Sequence, residues 1–180
     1  TAIALPEELK AKINEAVKQW HWLPICWIKR ENWHITVVPP TYLEDSEFEE
    51  LAKILKEGRL GKPFALGFSR ISLAPPGGKA RMIWLEGETP PELTKLKKKI
   101  EGLRLATPSL PPIIDEENRE ARMHVTLARF EPGDLKEIEE KTRILGEIKL
   151  RFEVREIVIV ESRLQSSGAE YVILKQVALV

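Results

Sequence analysis

The sequence predicts a mixed α and β fold, and three observations carry that prediction. Helical and strand-like hydrophobic periods alternate along the whole chain. The 180 residues are 43% hydrophobic and 31% charged, enough apolar material for one well-buried core. No shift of composition marks a linker, so residues 1–180 read as one domain, whose two halves look like similar lobes of strands backed by helices.

Thr1 to Leu5 reads as a short strand. Pro6 then takes the first position of a helix with Glu7 and Glu8 in its opening turn and Leu9, Ile13, Val17 and Trp20 on one stripe. Strands are expected at about 23–29 and 33–38. A second helix carries Phe48, Leu51, Ala52 and Leu55 and stops at Gly58. Two strands at 63–73 and 80–86 flank the turn cluster Pro75-Pro76-Gly77-Gly78. The rhythm then repeats. A helix opens at Thr89-Pro90-Pro91-Glu92 with Leu93, Leu96, Ile100 and Leu103 on its stripe. A Pro-rich loop at 105–118 precedes a strand at 122–130 and a helix from Asp134 to Leu145. Strands at 148–160 and 170–179 close the chain.

Rare residues narrow the function. Lysine plus arginine number 28 and aspartate plus glutamate 28, so no global field holds duplex DNA by counterion release. Any nucleic-acid contact must be local. The single cysteine, Cys26, rules out an internal disulfide and, in its apolar run, reads as a buried, inert thiol. No stretch is apolar enough for a membrane span and no signal pattern opens the chain, so a cytoplasmic protein is expected. Three histidines and one cysteine are too few for a dedicated zinc or iron site. Gly-rich phosphate loops and the G-x-S-x-G elbow are missing too.

What remains is histidine chemistry. Trp33-His34-Ile35-Thr36-Val37 and Met123-His124-Val125-Thr126-Leu127 share the form apolar-His-apolar-Thr-apolar, half a chain apart. Shuffling would give two of three histidines a threonine at that offset only roughly 0.6% of the time. On a strand, His34 and Thr36 share one face and the apolar neighbours the other, and His124 and Thr126 repeat this. Two facing imidazoles can deprotonate a water and protonate a leaving oxygen in one displacement. Threonine hydroxyls can hold the non-bridging oxygens of a phosphoryl group. Arg122 has the parity of His124 and Thr126, whereas Arg129 falls on the opposite parity and reaches their face only if the strand bends. Lys79 and Arg81 are weaker nucleotide-contact candidates. His21, between Trp20 and Trp22, reads as packing or capping, and Trp27 and Trp84 as core.

Two H-x-T-x strands in such a chain resemble the two-histidine phosphoesterase superfamily. Ala4-Leu5-Pro6-Glu7-Glu8-Leu9, Glu31-Asn32-Trp33-His34-Ile35-Thr36, Arg122-Met123-His124-Val125-Thr126-Leu127-Ala128-Arg129 and Val160-Glu161-Ser162-Arg163-Leu164 with Gly168 and Tyr171 are similar to the RNA 2',3'-cyclic phosphodiesterases, also called 2'-5' RNA ligases. The resemblance implies a bilobal α+β fold, two antiparallel sheets facing a central cleft with helices on their outer faces. It implies hydrolysis of ribose 2',3'-cyclic phosphate ends of RNA or nucleotides to 2'-phosphomonoesters, without cofactor or metal, and in some members a weak, reversible 2'-5' ligation. By position it makes His34 and His124 the catalytic pair, with His124 as base and His34 as acid. Thr36, Thr126, Arg129 and, by parity, Arg122 would bind phosphate. Met123 stands where proline is common, and Pro39-Pro40 where an apolar-Gly pair is common. The alternative from another class is a nucleotide- or RNA-end-binding module with little turnover. The expected partner is an RNA end or nucleotide bearing the cyclic phosphate, met by a monomer.

Overall fold

The computed structural model describes residues 1–76, 80–112, 121–134, 138, 146–165 and 168–180. β1 (Ala2–Ala4) runs through Leu5 into Pro6, whose ψ of 146° keeps it extended. Pro6 is therefore the cap before α1 (Glu7–Val17) and not its first helical residue. Leu9, Ile13 and Val17 form the buried stripe of that helix. β2 (Cys26–Trp27) and β3 (His34–Thr36) are much shorter than the sequence suggests. Pro24 and Pro39-Pro40 cannot donate to a ladder, and a 3₁₀ turn at Arg30–Asn32 fills the space between the two strands.

α2 (Asp45–Glu57) starts with a reciprocal capping box between Glu44 and Glu47 and ends at Gly58. A Cβ on Gly58 would lie 2.4 Å from Leu103 Cδ1, so the glycine is fixed by the approach of the next helix. The left-handed turn after the helix consequently falls on Arg59, with φ of 45°. β4 (Phe64–Ala74) and β5 (Met82–Glu86) follow, then α3 (Pro91–Leu105), capped by Pro90. The rest of the described chain is β6 (His124–Arg129), β7 (Gly146–Val154), β8 (Glu156–Gln165) and β9 (Gly168–Ala178). Arg155 splits the expected strand 148–160, because β7 and β8 join different sheets there. Asp134 ends a 3₁₀ turn, Pro132–Asp134, and apart from Ile138 the helix expected to Leu145 lies outside the described residues. So do Gly77, Gly78 and Lys79, and residues 113–118 of the Pro-rich loop.

The fold is α+β, with two antiparallel sheets. One has the order β3-β1-β8-β9 and the other β2-β6-β5-β4-β7. Each sheet carries one histidine strand, but neither lobe is a half of the sequence. The first sheet joins the first strands to the last, and the second takes β2, β4 and β5 from the front and β6 and β7 from the back. Hydrophobic periodicity marks which residues are strands and cannot mark which strands pair, so this crossing escapes a sequence reading.

One face of each sheet is packed. Ile3, Ile35, Ile157, Ile159 and Val177 from the first, and Leu66, Phe68, Ile71, Ile83, Leu85, Val125 and Leu127 from the second, join the apolar stripes of α1, α2 and α3 in one core. Cys26, expected in that core, is exposed, because it pairs with Arg129 across β2 and β6 and shares its outward face. No helix among the described residues is long and apolar enough to cross a membrane.

Candidate active site

Alternation on β3 and β6 sets the site. Ile35 and Val125 are fully buried, so His34 and Thr36, and His124 and Thr126, turn to the opposite faces of their sheets. Ala4 and Ala2 pair with His34 and Thr36, leaving only methyl groups beside them. The two histidine strands, though in different sheets, approach within 8 Å between Cα atoms. All four residues singled out by the repeated motif are thereby brought to one locus.

Both imidazoles are held the same way. His34 Nδ1 donates to the Asn32 carbonyl at 2.8 Å, and His124 Nδ1 donates to the Arg122 carbonyl at 3.0 Å. A carbonyl only accepts, so Nδ1 carries the proton and the neutral ring presents Nε2 as its basic atom. His34 Nε2 lies 3.3 Å from Thr36 Oγ1. Burial pushes the pKa of both rings below the usual histidine value, opposed in part by those carbonyls. At His124, Arg122 and His34 push the same way and the Glu86 carboxylate pushes back.

Each histidine also has an aromatic neighbour. Tyr171 packs edge-on against His34, with centroids 4.6 Å apart. It is held there by Asn32, whose side chain donates to the Ala169 carbonyl at 2.7 Å and accepts from the Tyr171 amide at 3.2 Å. Trp84, read from sequence as core, is buried and also stacks on His124, with the Arg122 guanidinium over its ring at 5.9 Å from the centroid. Trp27 is only half-buried and packs edge-on against the exposed His21.

Arg129 reaches this face through a β-bulge. Thr126 pairs with Trp84 and His124 with Glu86, but Ala128 pairs with Ile83, so Leu127 is the extra residue of β6. Leu127 and Ala128 both turn to the core, and Arg129, paired with Met82, returns to the side of Thr126 and His124. Simple parity placed it on the other side. Arg129 Nη1 points at Met82 Sδ, 3.7 Å away.

Sequence reasoning missed Glu86. It is 8% exposed, faces His124 across the ladder, and accepts from Arg70 Nε at 2.8 Å and from the Ser72 hydroxyl. A signal existed: in Met82-Ile83-Trp84-Leu85-Glu86 the alternation already puts Met82, Trp84 and Glu86 on one face. Among the described residues no three His, Cys, Asp or Glu side chains converge as a metal-ligand set.

Two sheets that each present a His/Thr pair define a two-histidine site on an α+β frame, and known proteins share that frame. The model of the LigT-like phosphoesterase family matches residues 3–84, a span that includes His34 and Thr36 and ends before His124. An RNA 2',3'-cyclic phosphodiesterase of Methanocaldococcus jannaschii is 26% identical over 177 residues, covering 97% of this chain and 96% of that protein. LigT of E. coli superposes with a TM-score of 0.77 at 19% identity, over 98% of this chain and 94% of that one. The same protein crystallised with 3'-AMP gives 0.76 at 21% identity, over 99% and 95%. The chain is thus similar to the LigT-like phosphoesterases in its first half and shares the fold of LigT over nearly its whole length.

Proposed function

We propose that this chain hydrolyses ribose 2',3'-cyclic phosphates at RNA ends or on nucleotides, leaving a 2'-phosphomonoester. The observation that carries the reading is the matched tethering of two imidazoles, each with Nδ1 on a backbone carbonyl and Nε2 left for chemistry. In the forward direction His124 Nε2 takes a proton from water as its oxygen attacks phosphorus. His34, as imidazolium, gives its Nε2 proton to the ribose 3' oxygen as the P–O3' bond breaks. Reversal exchanges these roles and would join ends through a 2'-5' bond. Thr36, Thr126 and Arg129 hold the phosphoryl oxygens, and Arg122 adds positive charge beside them. The Methanocaldococcus relative, named for this activity, supports the reading. No residue of the scheme calls on a metal or cofactor, and one chain supplies every group it uses.

The test is product analysis with 2',3'-cyclic AMP and a cyclic-phosphate-ended oligonucleotide in excess EDTA. Wild type yields the 2'-phosphate, and His34→Ala and His124→Ala each lose about 10²–10⁴-fold in rate. Full activity in His124→Ala overturns the assignment. Tight nucleotide binding without product makes the protein a binding module instead.

A further inference from the structure

A second feature lies away from the histidines. A cavity of about 700 Å³ opens between the end of α2, the outer side of α3 and the edge strand β7. Arg59, Lys62, Lys95, Lys99 and Arg151 line it, against one carboxylate, Glu92. In a chain of zero net charge this is a concentrated positive field. Among the described residues none of the five cations makes an ion pair, whereas Lys97 on the same helix pairs with Glu101 and Arg155 beside β7 pairs with Glu153. Lys95 and Lys99 stand four apart on α3, an arrangement of like charges that destabilises a helix unless an anion sits between them. Arg59 is held left-handed, with φ of 45°, and such non-glycine conformations gather at binding sites.

One cation of the cavity, Arg151, shares a sheet face with the candidate active site. Cross-strand partners share a face, and the ladder links His124 to Glu86, Glu86 to Arg70 and Arg70 to Glu147. Lys149 and Arg151 continue the exposed side of β7 from Glu147. Arg151 is thus on the same sheet face as His124, about 20 Å away at ordinary strand spacing and rise. That is about six stacked nucleotides at ~3.4 Å each.

We propose that this cavity binds the phosphodiester backbone of single-stranded RNA, 5' to an end that lies at His34 and His124. The inference rests on the activity proposed above for the position of that end. A concave pocket ringed by separate cations suits successive phosphates better than the flat surface of a membrane.

The experiment compares wild type with Lys95→Gln/Lys99→Gln/Arg151→Gln, three exposed positions outside the histidine site. Hydrolysis of 2',3'-cyclic AMP stays unchanged in the variant. KM for a cyclic-phosphate-ended RNA of about ten nucleotides rises about tenfold, and the log–log salt slope of its binding, read by fluorescence anisotropy, falls by about 2. Equal KM and equal salt slope for the two proteins overturn the proposal. So does poly-glutamate displacing the RNA at equal charge concentration, which would assign the cavity to acidic protein. Salt-sensitive RNA binding that depends on the three cations, without hydrolysis of cyclic AMP by wild type, supports the cavity and rejects the activity.

Discussion

The rings of Trp84 and His124 lie parallel to within 27° with their centroids 4.0 Å apart. Stacking of this kind restricts the imidazole to one plane while its Nδ1 is tied to the Arg122 carbonyl. Trp84→Ala should therefore lower kcat for the cyclic substrate by about 10-fold with KM little changed, and Trp84→Phe should restore most of it. A KM effect alone would make Trp84 a substrate-stacking group instead.

Glu86 gives a prediction with a sign. Its carboxylate holds the His124 pKa up against burial, so Glu86→Gln should lower that pKa. The limb of the pH–rate profile that reports the base moves to lower pH. The His124 ring resonances followed by NMR should move in the same direction. An upward shift would mean that lost contacts to Arg70 and Ser72 dominate.

Both histidines titrate below their unfolded value, so the unfolded chain binds more protons as the pH falls past the ordinary histidine range. Their contribution to stability is fully present above that range. It is lost as the pH drops from about 6.5 through the folded pKa values. Thermal unfolding at pH 7 and pH 5 should show this loss, and His34→Gln/His124→Gln should remove much of it.

Asn32 connects the two ends of the chain. Replacing it with alanine strands the Ala169 carbonyl and the Tyr171 amide, at a cost of about 1–3 kcal/mol. Faster hydrogen exchange at the Tyr171 amide, with exchange in β5 and β6 unaltered, would locate the damage. Uniform acceleration would contradict a local role.

Two glycines should respond oppositely to alanine. At Gly87 the new Cβ would sit 2.0 Å from the Gly67 carbonyl oxygen and 2.7 Å from Met123 Cε, costing about 1–3 kcal/mol or more. At Gly102 on α3 nothing lies within 4 Å, and the helix gains about 0.4–1 kcal/mol. Urea midpoints measure both.

The histidine strands were readable because a two-residue period shows directly which side chains share a face. Ile35 and Val125 supply the buried half of that pattern and His34 and His124 the other. The place of Arg129 was not readable from parity, because it depends on one extra residue, Leu127, visible only against the partner strand. Trp84 was read as core since large aromatics in strands usually are. Its contact with His124 is set by the pairing of β5 with β6, across a connection that includes α3. Cys26 looked interior in an apolar run and is exposed, since a two-residue edge strand buries only one of its sides. Local periodicity speaks for faces; register belongs to the folded chain.

The exchange of strands between the sheets has a practical corollary for dissection. His34 lies near the start of the sequence, yet its sheet is completed by β8 and β9. Deleting the last hairpin would dismantle the lobe of His34 and spare the ladder of β5 and β6 that carries His124. Splitting the chain near its midpoint would leave each fragment with pieces of both sheets. Activity from such halves would have to come from their reassociation, so the two lobes are mechanically distinct but genetically inseparable.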